Sequence, residues 1–263
     1  MPHMRGARHW AQRAREFSYY LGLLPPGIRL WRYLPRFFRD ARSYRDAVRH
    51  GTSFPFAWSD VQPMLADFAA PAGSAGGQYF HQDLWAARRI HAARPRSHVD
   101  IGSRVDGFVA HVLTFMPVTV LDIRPLESDV RGLTFVQGDV CRLCAFASDS
   151  VESLSCLHAV EHIGLGRYGD PIAPDGWLAG LRECSRVLAP GGRFYLGTPV
   201  GRERLHFNSG RVFSPVTIIA ALQALHLVSF SAVNDAGHLV EPADPAAFTS
   251  TEYSCGLFEF TKP

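Results

Sequence analysis

Short apolar runs alternate with helical segments along most of this chain, and this alternation constrains its fold more than any other feature. The apolar runs predict strands at 98–101, 118–122, 133–137, 153–157 and 192–197. Apolar residues at helical spacing predict helices between or after them, at 107–116, 176–188 and 215–224. Such alternation predicts an α/β fold, in which a parallel sheet carries helices on both faces.

Further elements flank this alternating region. A helix that leads into the first strand is predicted from four apolar residues at helical spacing, Phe80, Leu84, Ala87 and Ile90. Two extended runs follow the last predicted helix, at 226–233 and 253–260. We expect these two runs to form an antiparallel hairpin at the sheet edge.

The start of the chain differs from the rest in charge. Residues 1–50 contain eleven arginines and three acidic residues, whereas the remainder contains sixteen basic and twenty-one acidic residues. Apolar periodicity within this region predicts two helices, over 7–24 and 35–49. We therefore expect a basic helical N-terminal arm, residues 1–70, followed by the main domain over 78–263.

Two interpretations of the basic arm remain open. It is either a helical layer packed on the main domain or a surface for an anionic membrane or another polyanionic partner. Nucleic acid is not expected as that partner, because no nucleic-acid reading motif accompanies the charge. The oligomeric state does not follow from the sequence.

Cysteine usage and apolar run length predict the cellular location. Five scattered cysteines do not suggest a disulfide framework, and Cys141 and Cys144 lack the second pair of a four-ligand zinc site, so no metal is expected. The longest apolar run in the arm, 17–24, is far shorter than the ~20 residues that span a bilayer. We expect a cytoplasmic protein, at the inner face of the membrane if the arm binds lipid.

Acidic residues follow the first three predicted strands. They are Asp100, Asp122 and Asp139. Open parallel sheets bind ligands at the carboxyl ends of their strands, and Gly102 permits a tight turn at the first of these ends. Any one of the acidic residues could simply cap the next helix, but three in successive turns predict a nucleotide site.

The turn after the first strand departs from the dinucleotide fingerprint. The segment Gly102-x-Arg104-x-x-Gly107 keeps the first and third glycines and has Arg104 in place of the middle one. A long charged side chain there would crowd a diphosphate. The turn therefore favours a ligand without phosphates, and a nicotinamide-dependent enzyme is a weaker hypothesis.

Two longer segments resemble a known superfamily. They are SVESLSCLHAVEHIG at 150–164 and WLAGLRECSRVLAPGGRFYLGTP at 177–199. In this order they resemble the fourth and fifth motifs of class I S-adenosylmethionine-dependent methyltransferases, although the first turn departs from the superfamily's D-x-G-x-G-x-G. The chain also resembles an uncharacterised bacterial methyltransferase-like domain family that is often associated with surface-polysaccharide genes.

This resemblance, which covers roughly residues 78–215, implies a Rossmann-like seven-stranded sheet and S-adenosylmethionine as cofactor. It implies a methionine moiety beside Asp100 and Gly102, ribose hydroxyls at Asp122, and adenine at Asp139 and the Val140 amide. Arg104 would pair with Asp106 or with the methionine carboxylate. Further cofactor contacts are expected from Gly107, Tyr79 and Gln82. The alternative for Tyr79 and Gln82 is packing between helix and sheet or exposure at the surface.

Candidate catalytic residues follow the fourth strand. Methyl transfer to a hydroxyl needs positioning and a base that removes the proton. His158, Glu161 and His162 lie in one short stretch, and the two histidines, four residues apart, would share a helix face. A histidine suits this role because its ordinary pKa of ~6.5 is near the working pH. The alternative is that the segment packs near the cofactor and caps the next turn.

Two loops are candidates for acceptor binding. The loop at 164–177 has four glycines and is long enough for a lid, and its polar side chains include Arg167, Tyr168 and Asp170. The loop at 198–213 adds Arg202, Arg204, His206, Asn208 and Arg211. Arginines at this density predict a substrate with hydroxyls and negative charge, such as a sugar nucleotide or a uronic acid. A solvated basic loop is the alternative.

The function expected from these features is O-methylation of a carbohydrate or another polar small molecule, in surface-glycan biosynthesis. The main alternative is a catalytically inactive methyltransferase-like domain that acts as a binding or scaffolding module in a glycan-assembly complex. The response to adenosyl ligands separates the two hypotheses, because a scaffold with an unusable turn binds none of them.

Overall fold

The computed structural model describes residues 30–48, 54–68 and 70–263. The chain divides into two compact units, Met1–Ser74 and Ala75–Pro263. None of the helices in the described ranges combines the length and the apolar character that a membrane span requires. The helix expected over 7–24 lies outside the described residues.

The described part of the first unit contains one α-helix and several aromatic contacts. A 3-10 turn, Leu30–Tyr33, leads into helix α1, Leu34–Ala47, which confirms the helix expected from residue 35 onwards. Two further 3-10 turns follow, Trp58–Asp60 and Leu65–Phe68. The rings of Tyr44 and Phe56 lie 6.4 Å apart and those of Phe38 and Trp58 also lie 6.4 Å apart. No side chain of α1 is buried, so aromatic contacts rather than a closed core hold this described part together.

The second unit begins with alternating elements. In chain order they are helix α2 Gln78–Ala93, strand β1 His98–Ile101, a π-helical turn Val105–Val109 that continues into helix α3 Ala110–Leu113, strand β2 Val118–Asp122, strand β3 Leu133–Gln137, a 3-10 turn Val140–Arg142, strand β4 Val151–Leu157, a 3-10 turn Val160–His162, helix α4 Gly176–Val187 and strand β5 Leu188–Val200.

The remaining elements are mostly extended. They are strand β6 Arg204–His206, strand β7 Gly210–Val212, helix α5 Pro215–Ala221, strand β8 His226–Val233, strand β9 Leu239–Val240, a 3-10 turn Pro245–Phe248 and strand β10 Ser254–Thr261. Strands β6 and β7 form a separate two-stranded hairpin inside the segment expected to be a loop.

The main sheet has the strand order β3-β2-β1-β4-β5-β10-β8-β9. Strands β1 to β5 pair with one another in parallel, and β10 is antiparallel to both β5 and β8. The sheet therefore has eight strands rather than seven, because the two-residue β9 pairs with the end of β8. The final pair is antiparallel as expected, but β10 lies inside the sheet rather than at its edge.

The helix expected over 107–116 is shorter in the structure. Only Ala110–Leu113 is α-helical, and the preceding turn is wide. Gly107 lies in this wide turn, where an added Cβ would come within 2.6 Å of the Asp83 carboxylate of α2. At the other end Pro117 disfavours the helical conformation of Met116. Packing against α2 and the proline thus shorten the helix from both ends.

The core lies on both faces of the sheet. One cluster of buried side chains packs under α4 and α5 and includes Leu181, Phe194, Leu196, Phe258 and Phe260. The other packs under α2 and α3 and includes Trp85, Ile90, Phe108, Tyr195 and Leu257. Successive residues of β5 and β10 contribute to opposite clusters because side chains alternate across a strand. Both faces of these central strands are therefore apolar and buried.

We expect Phe258→Ala to lower the free energy of unfolding by about 3–5 kcal/mol, because it leaves a cavity among Phe230, Phe260 and their neighbours. Urea denaturation followed by circular dichroism measures the change. Val228→Ala on the neighbouring strand β8 is the control, since Val228 is 46% exposed. A loss below about 1 kcal/mol for Phe258→Ala would contradict this account of the core.

Candidate functional site

A cavity lies at the carboxyl ends of strands β1 to β4, where parallel sheets bind ligands. Its apolar wall includes Ile101, Leu121, Ile123, Val140, Ala159 and Ile163. Its polar wall includes Asp122, Arg124, Asp139, His158, His162, Tyr168 and Asp170. The turns after all four strands thus converge on one site, as the sequence predicted for the first three.

Gly102 brings the turn after β1 close to the end of β4. Its φ is +66°, and an added Cβ would lie 3.0 Å from the Cβ of Ala159. Glycine is suited to both conditions, because it adopts positive φ freely and has no side chain to clash. Gly102 therefore lines the cavity through its backbone, as expected.

Asp100 lies below the cavity rather than in its wall. Its carboxylate is fully buried and accepts hydrogen bonds from the Ser103 amide at 3.0 Å, the Ser103 hydroxyl at 2.6 Å and the Ser155 hydroxyl. Burial raises the pKa of Asp100 to about 6. Both oxygens of Asp100 accept from Ser103 and so hold the turn after β1, and the contact with a methionine moiety expected for Asp100 stays a prediction.

Asp122 lines the cavity with its carboxylate engaged by Arg124. The Arg124 side chain donates to the two carboxylate oxygens at 3.0 and 2.6 Å, and its backbone amide donates at 2.8 Å. The ribose contact expected for Asp122 thus has an internal competitor. Sequence reasoning missed Arg124, although it stands two residues after Asp122.

Asp139 and Val140 line the cavity at the end of β3, as expected. The Asp139 carboxylate also accepts a hydrogen bond from the Cys141 amide at 2.9 Å and so caps the 3-10 turn at Val140–Arg142. Asp139 therefore both caps the 3-10 turn and lines the cavity.

Tyr168 covers one side of the cavity. The centroid of its ring lies 4.4 Å from the Arg124 guanidinium and 5.2 Å from that of Arg167. The Tyr168 and His162 rings form a T-shaped pair with their centroids 5.6 Å apart. With this cover in place the cavity measures about 80 Å³. Pockets for small-molecule ligands measure ~300 Å³ or more, so this cavity is smaller than a typical ligand pocket.

Asp170 organises the loop that carries Tyr168. Its carboxylate accepts hydrogen bonds from the amides of Gly164, Gly166 and Tyr168 at 2.7, 3.2 and 3.2 Å. Burial alone would raise the pKa of Asp170, but these amide donors outweigh it and lower the pKa. Asp170 therefore shapes this loop and also lines the cavity, and the substrate contact expected for it stays a prediction.

His158 lies at the end of β4 in a left-handed backbone conformation, with φ +52°. Its Nδ1 faces Gln82 Oε1, its Nε2 lies 3.3 Å from Gln78 Oε1, and its ring lies 4.9 Å from that of Tyr79. Burial, and secondarily His162, lowers the pKa of His158 to about 3. Tyr79 and Gln82 both reach His158 and lie outside the cavity lining, and the cofactor contacts expected for them stay predictions.

Glu161 and His162 are neighbouring titratable side chains. Glu161 is 1% exposed, and its Oε1 has no hydrogen-bond partner among the described residues. That oxygen lies 3.6 Å from His162 Nε2. Burial raises the pKa of Glu161 to about 8, and burial together with Arg167 lowers that of His162 to about 4. Of the three candidate catalytic residues, Glu161 therefore titrates nearest neutrality.

Arg104 points away from the cavity. It forms an exposed pair with Asp106 at 2.8 Å, and its guanidinium lies 5.6 Å from the Tyr79 ring. Gly107 faces Asp83 rather than the cavity. The cofactor contacts expected for Arg104 and Gly107 are corrected, and the internal pairing of Arg104 with Asp106 is confirmed.

The arginine-rich loop does not reach the cavity either. Arg204 donates to the carbonyl oxygens of Arg202 and Glu252 and to His206. Asn208, with φ +58°, lies in the turn of the β6–β7 hairpin. The residues expected to contact the substrate, Arg202, Arg204, His206 and Asn208, lie outside the lining of this cavity, and their role stays a prediction.

The remaining arginines of this region bind backbone. Arg211 donates to the carbonyl oxygens of Glu161, Ile163 and Pro174, at 3.2, 2.7 and 3.0 Å. Arg167 donates to the Ser209 carbonyl at 2.6 Å. Among the described residues no group of three or more His, Cys, Asp or Glu side chains is placed to hold a metal ion.

Comparison with known proteins gives one family match. Residues 136–240 match a family described as "Caenorhabditis protein of unknown function, DUF268". A search of curated proteins finds no match.

Solved structures are similar in fold. A Burkholderia thailandensis 1,6-didemethyltoxoflavin-N1-methyltransferase, crystallised with 1,6-didemethyltoxoflavin and S-adenosylhomocysteine, is 17% identical over 69% of this chain and 79% of its own, with a TM-score of 0.50. The N-methyltransferase NodS from Bradyrhizobium japonicum WM9, crystallised with S-adenosylhomocysteine, is 16% identical over 71% and 89%, with the same score. The [4+2]-cyclase SpnF is 13% identical over 75% and 91%, also at 0.50.

These similarities establish the fold of the second unit as the Rossmann-like class I methyltransferase fold. They also include a cyclase, so the fold alone does not determine the reaction.

We expect Glu161→Gln to change stability in a pH-dependent way. A carboxyl whose pKa rises on folding stabilises the fold below its unfolded pKa, and this contribution is lost as pH rises towards about 8. Relative to the wild type, the variant should therefore gain stability from pH 5 to pH 8, by up to a few kcal/mol. Urea denaturation at each pH measures the difference.

The exposed Glu203→Gln is the matched control and should show no such trend. A Glu161→Gln variant that loses stability at pH 8 would instead reveal a charged, stabilised carboxylate.

Proposed function

We propose that this protein is an S-adenosylmethionine-dependent methyltransferase whose cofactor binds in the cavity at the ends of β1 to β4. The observation that carries the proposal is the convergence of Gly102, Asp122 and Asp139 on one cavity. Gly102 approaches Ala159 closely, so a side chain at position 102 would fill the space between them. Neighbours of the same fold bind S-adenosylhomocysteine, which is the product of this cofactor.

The residues present fit an adenosyl group. Asp122 would accept hydrogen bonds from the ribose hydroxyls once Arg124 moves aside. Asp139 and the Val140 backbone would hold the adenine, and the turn at Gly102 would face the methionine moiety. When bound, the cofactor supplies a methyl group on a positively charged sulfonium.

The acceptor would lie beside His158, Glu161 and His162. A hydroxyl acceptor must lose its proton, and His158 and His162 line the cavity, whereas Glu161 is buried outside the cavity lining with its carboxyl beside His162. We propose a carbohydrate or another polar small molecule as the acceptor. The assignment to surface-glycan biosynthesis rests on the sequence resemblance alone.

A binding or scaffolding module is the second candidate. Two observations favour it: Tyr168 packs against Arg124 at one side of the cavity, and Arg124 already forms an ion pair with the Asp122 carboxylate. A scaffold of this kind would hold the cavity closed and bind no adenosyl ligand.

We expect S-adenosylhomocysteine to raise the melting temperature, because a ligand at one hundred times its dissociation constant stabilises the native state by ~2.7 kcal/mol. That corresponds to a shift of a few degrees in a domain of this size. Asp122→Asn should reduce the shift, since the amide replaces two acceptor oxygens with one.

The control is Asp106→Asn, which alters an exposed carboxylate outside the cavity and should leave the shift intact. NAD should give no shift. The absence of any shift with S-adenosylhomocysteine, in an otherwise folded wild type, would reject the methyltransferase hypothesis in favour of the scaffold.

We expect Arg124→Ala to strengthen S-adenosylhomocysteine binding by about two- to fivefold. The variant removes the internal competitor for Asp122, and a half-exposed ion pair of this kind contributes ~0.5–1 kcal/mol. Isothermal titration calorimetry measures the change, with the exposed Arg202→Ala as the control. Weaker binding by Arg124→Ala would mean that the guanidinium contacts the ligand.

A further inference from the structure

Several contacts fix the position of the His158 side chain. Its left-handed backbone conformation is costly for a residue other than glycine, and such strain is typical of functional positions. Tyr79 lies against the ring face, and the side chains of Gln82 and Gln78 face its two nitrogens. The orientation of the imidazole is therefore determined by α2.

The neighbours of Gln82 determine which end of its amide faces His158. The amide nitrogen donates to Asp83 Oδ1 at 3.2 Å, and the Cys255 thiol lies 3.8 Å from Oε1 as a donor. Gly197 leaves room for this oxygen, since a Cβ there would come within 2.5 Å of it. Gln82 is only 2% exposed, so its amide has little freedom to turn. An oxygen, which only accepts hydrogen bonds, thus faces His158 Nδ1.

His158 is therefore protonated on Nδ1 and unprotonated on Nε2. The Nδ1 contact is the shorter of the two, 2.5 Å against 3.3 Å for Nε2. Burial lowers the pKa of His158, which keeps the ring neutral near pH 7. A neutral imidazole has one donor and one acceptor nitrogen, and Nε2 is the acceptor here.

Gln78 places a second acceptor next to Nε2. Its amide nitrogen donates to the Tyr253 carbonyl at 2.7 Å, which turns its Oε1 towards His158. Two acceptor atoms 3.3 Å apart are mutually unfavourable unless a donor lies between them. A hydroxyl or an amine supplies such a donor, whereas a carboxylate or a phosphate does not.

We propose that Gln82 is a positioning residue that fixes the Nδ1–H tautomer of His158, and that His158 Nε2 and Gln78 Oε1 together bind a hydrogen-bond donor of the methyl acceptor, a hydroxyl or an amine. This inference rests on the proposed function for its account of the ligand. The tautomer itself does not depend on that function.

Nitrogen-15 NMR of the full chain labelled on histidine tests the tautomer. His158→Gln identifies the His158 signals among those of the twelve histidines. We expect the wild type at pH 7 to show a protonated Nδ1 and an unprotonated Nε2. A protonated Nε2, either in the other tautomer or in the imidazolium form, would overturn the proposal.

Three variants test the cause. Gln82→Leu should remove the preference for Nδ1–H, and Gln78→Ala, the matched control on the same helix, should retain it. Gln82→Glu keeps an acceptor at the same place and should retain Nδ1–H while raising the pH at which His158 titrates. An unchanged tautomer in Gln82→Leu, or no upward shift in Gln82→Glu, would show that Gln82 does not set the state of His158.

Two small probes test the ligand class on protein saturated with S-adenosylhomocysteine. Methylammonium should shift the His158 Nε2 signal, and acetate, of similar size and opposite charge, should not. A response to acetate alone, or to neither probe, would overturn the donor-binding assignment. Failure of S-adenosylhomocysteine to bind, with the Nδ1–H tautomer intact, would instead reject the proposed function and leave the tautomer standing.

Discussion

The buried carboxyl of Asp100 is the constraint on which the rest of the site depends. It accepts three hydrogen bonds, two from Ser103 in the turn after β1 and one from Ser155 on β4. The Ser103 hydroxyl in turn accepts from the Leu157 amide, immediately before His158. One carboxyl therefore ties the ends of two neighbouring strands together. Burying a carboxylate without hydrogen-bond donors would cost free energy, so the buried position of Asp100 depends on these three donors.

This tie fixes the positions of Gly102 and His158, two of the residues that line the cavity at the ends of those strands. Gly102 directly precedes Ser103, and His158 directly follows Leu157. The network extends below the cavity, where the His98 ring bridges Ser153 and Ser155 at 2.8 and 2.9 Å. Loss of the Asp100 carboxyl would thus disturb the floor of the cavity and the approach of β4 to β1.

The sequence predicted the sheet better than it predicted the site. The bounds of β1, β2 and β3 are confirmed because each is a short apolar run between turn-forming residues. Strand β9 and the β6–β7 hairpin were missed, since two- and three-residue strands are defined by pairing rather than by a pattern of their own. The strand-end positions were predictable because topology alone places them at one edge of the sheet.

The directions of the polar side chains could not be predicted in the same way. Arg204 and Arg211 were expected at the acceptor, but in the structure their guanidinium groups bind backbone carbonyl oxygens. Arg124 was not expected, and it lies directly over Asp122. Whether an arginine faces a ligand or a carbonyl depends on tertiary neighbours that no local pattern encodes. The same holds for Gln78 and Gln82, whose contacts to His158 span more than seventy residues of sequence.

Arg104 stands where the dinucleotide fingerprint has its middle glycine, and its backbone conformation explains why the fold accommodates it. Arg104 has φ −68° and ψ 122°, an extended conformation that any residue adopts without strain. Its side chain points to the surface, where Asp106 neutralises it. A glycine is needed at such a position only where a ligand approaches the backbone closely, as a diphosphate does in dinucleotide sites. Retention of Gly102 and replacement of the next glycine are therefore compatible with a cavity that holds a nucleoside without phosphates.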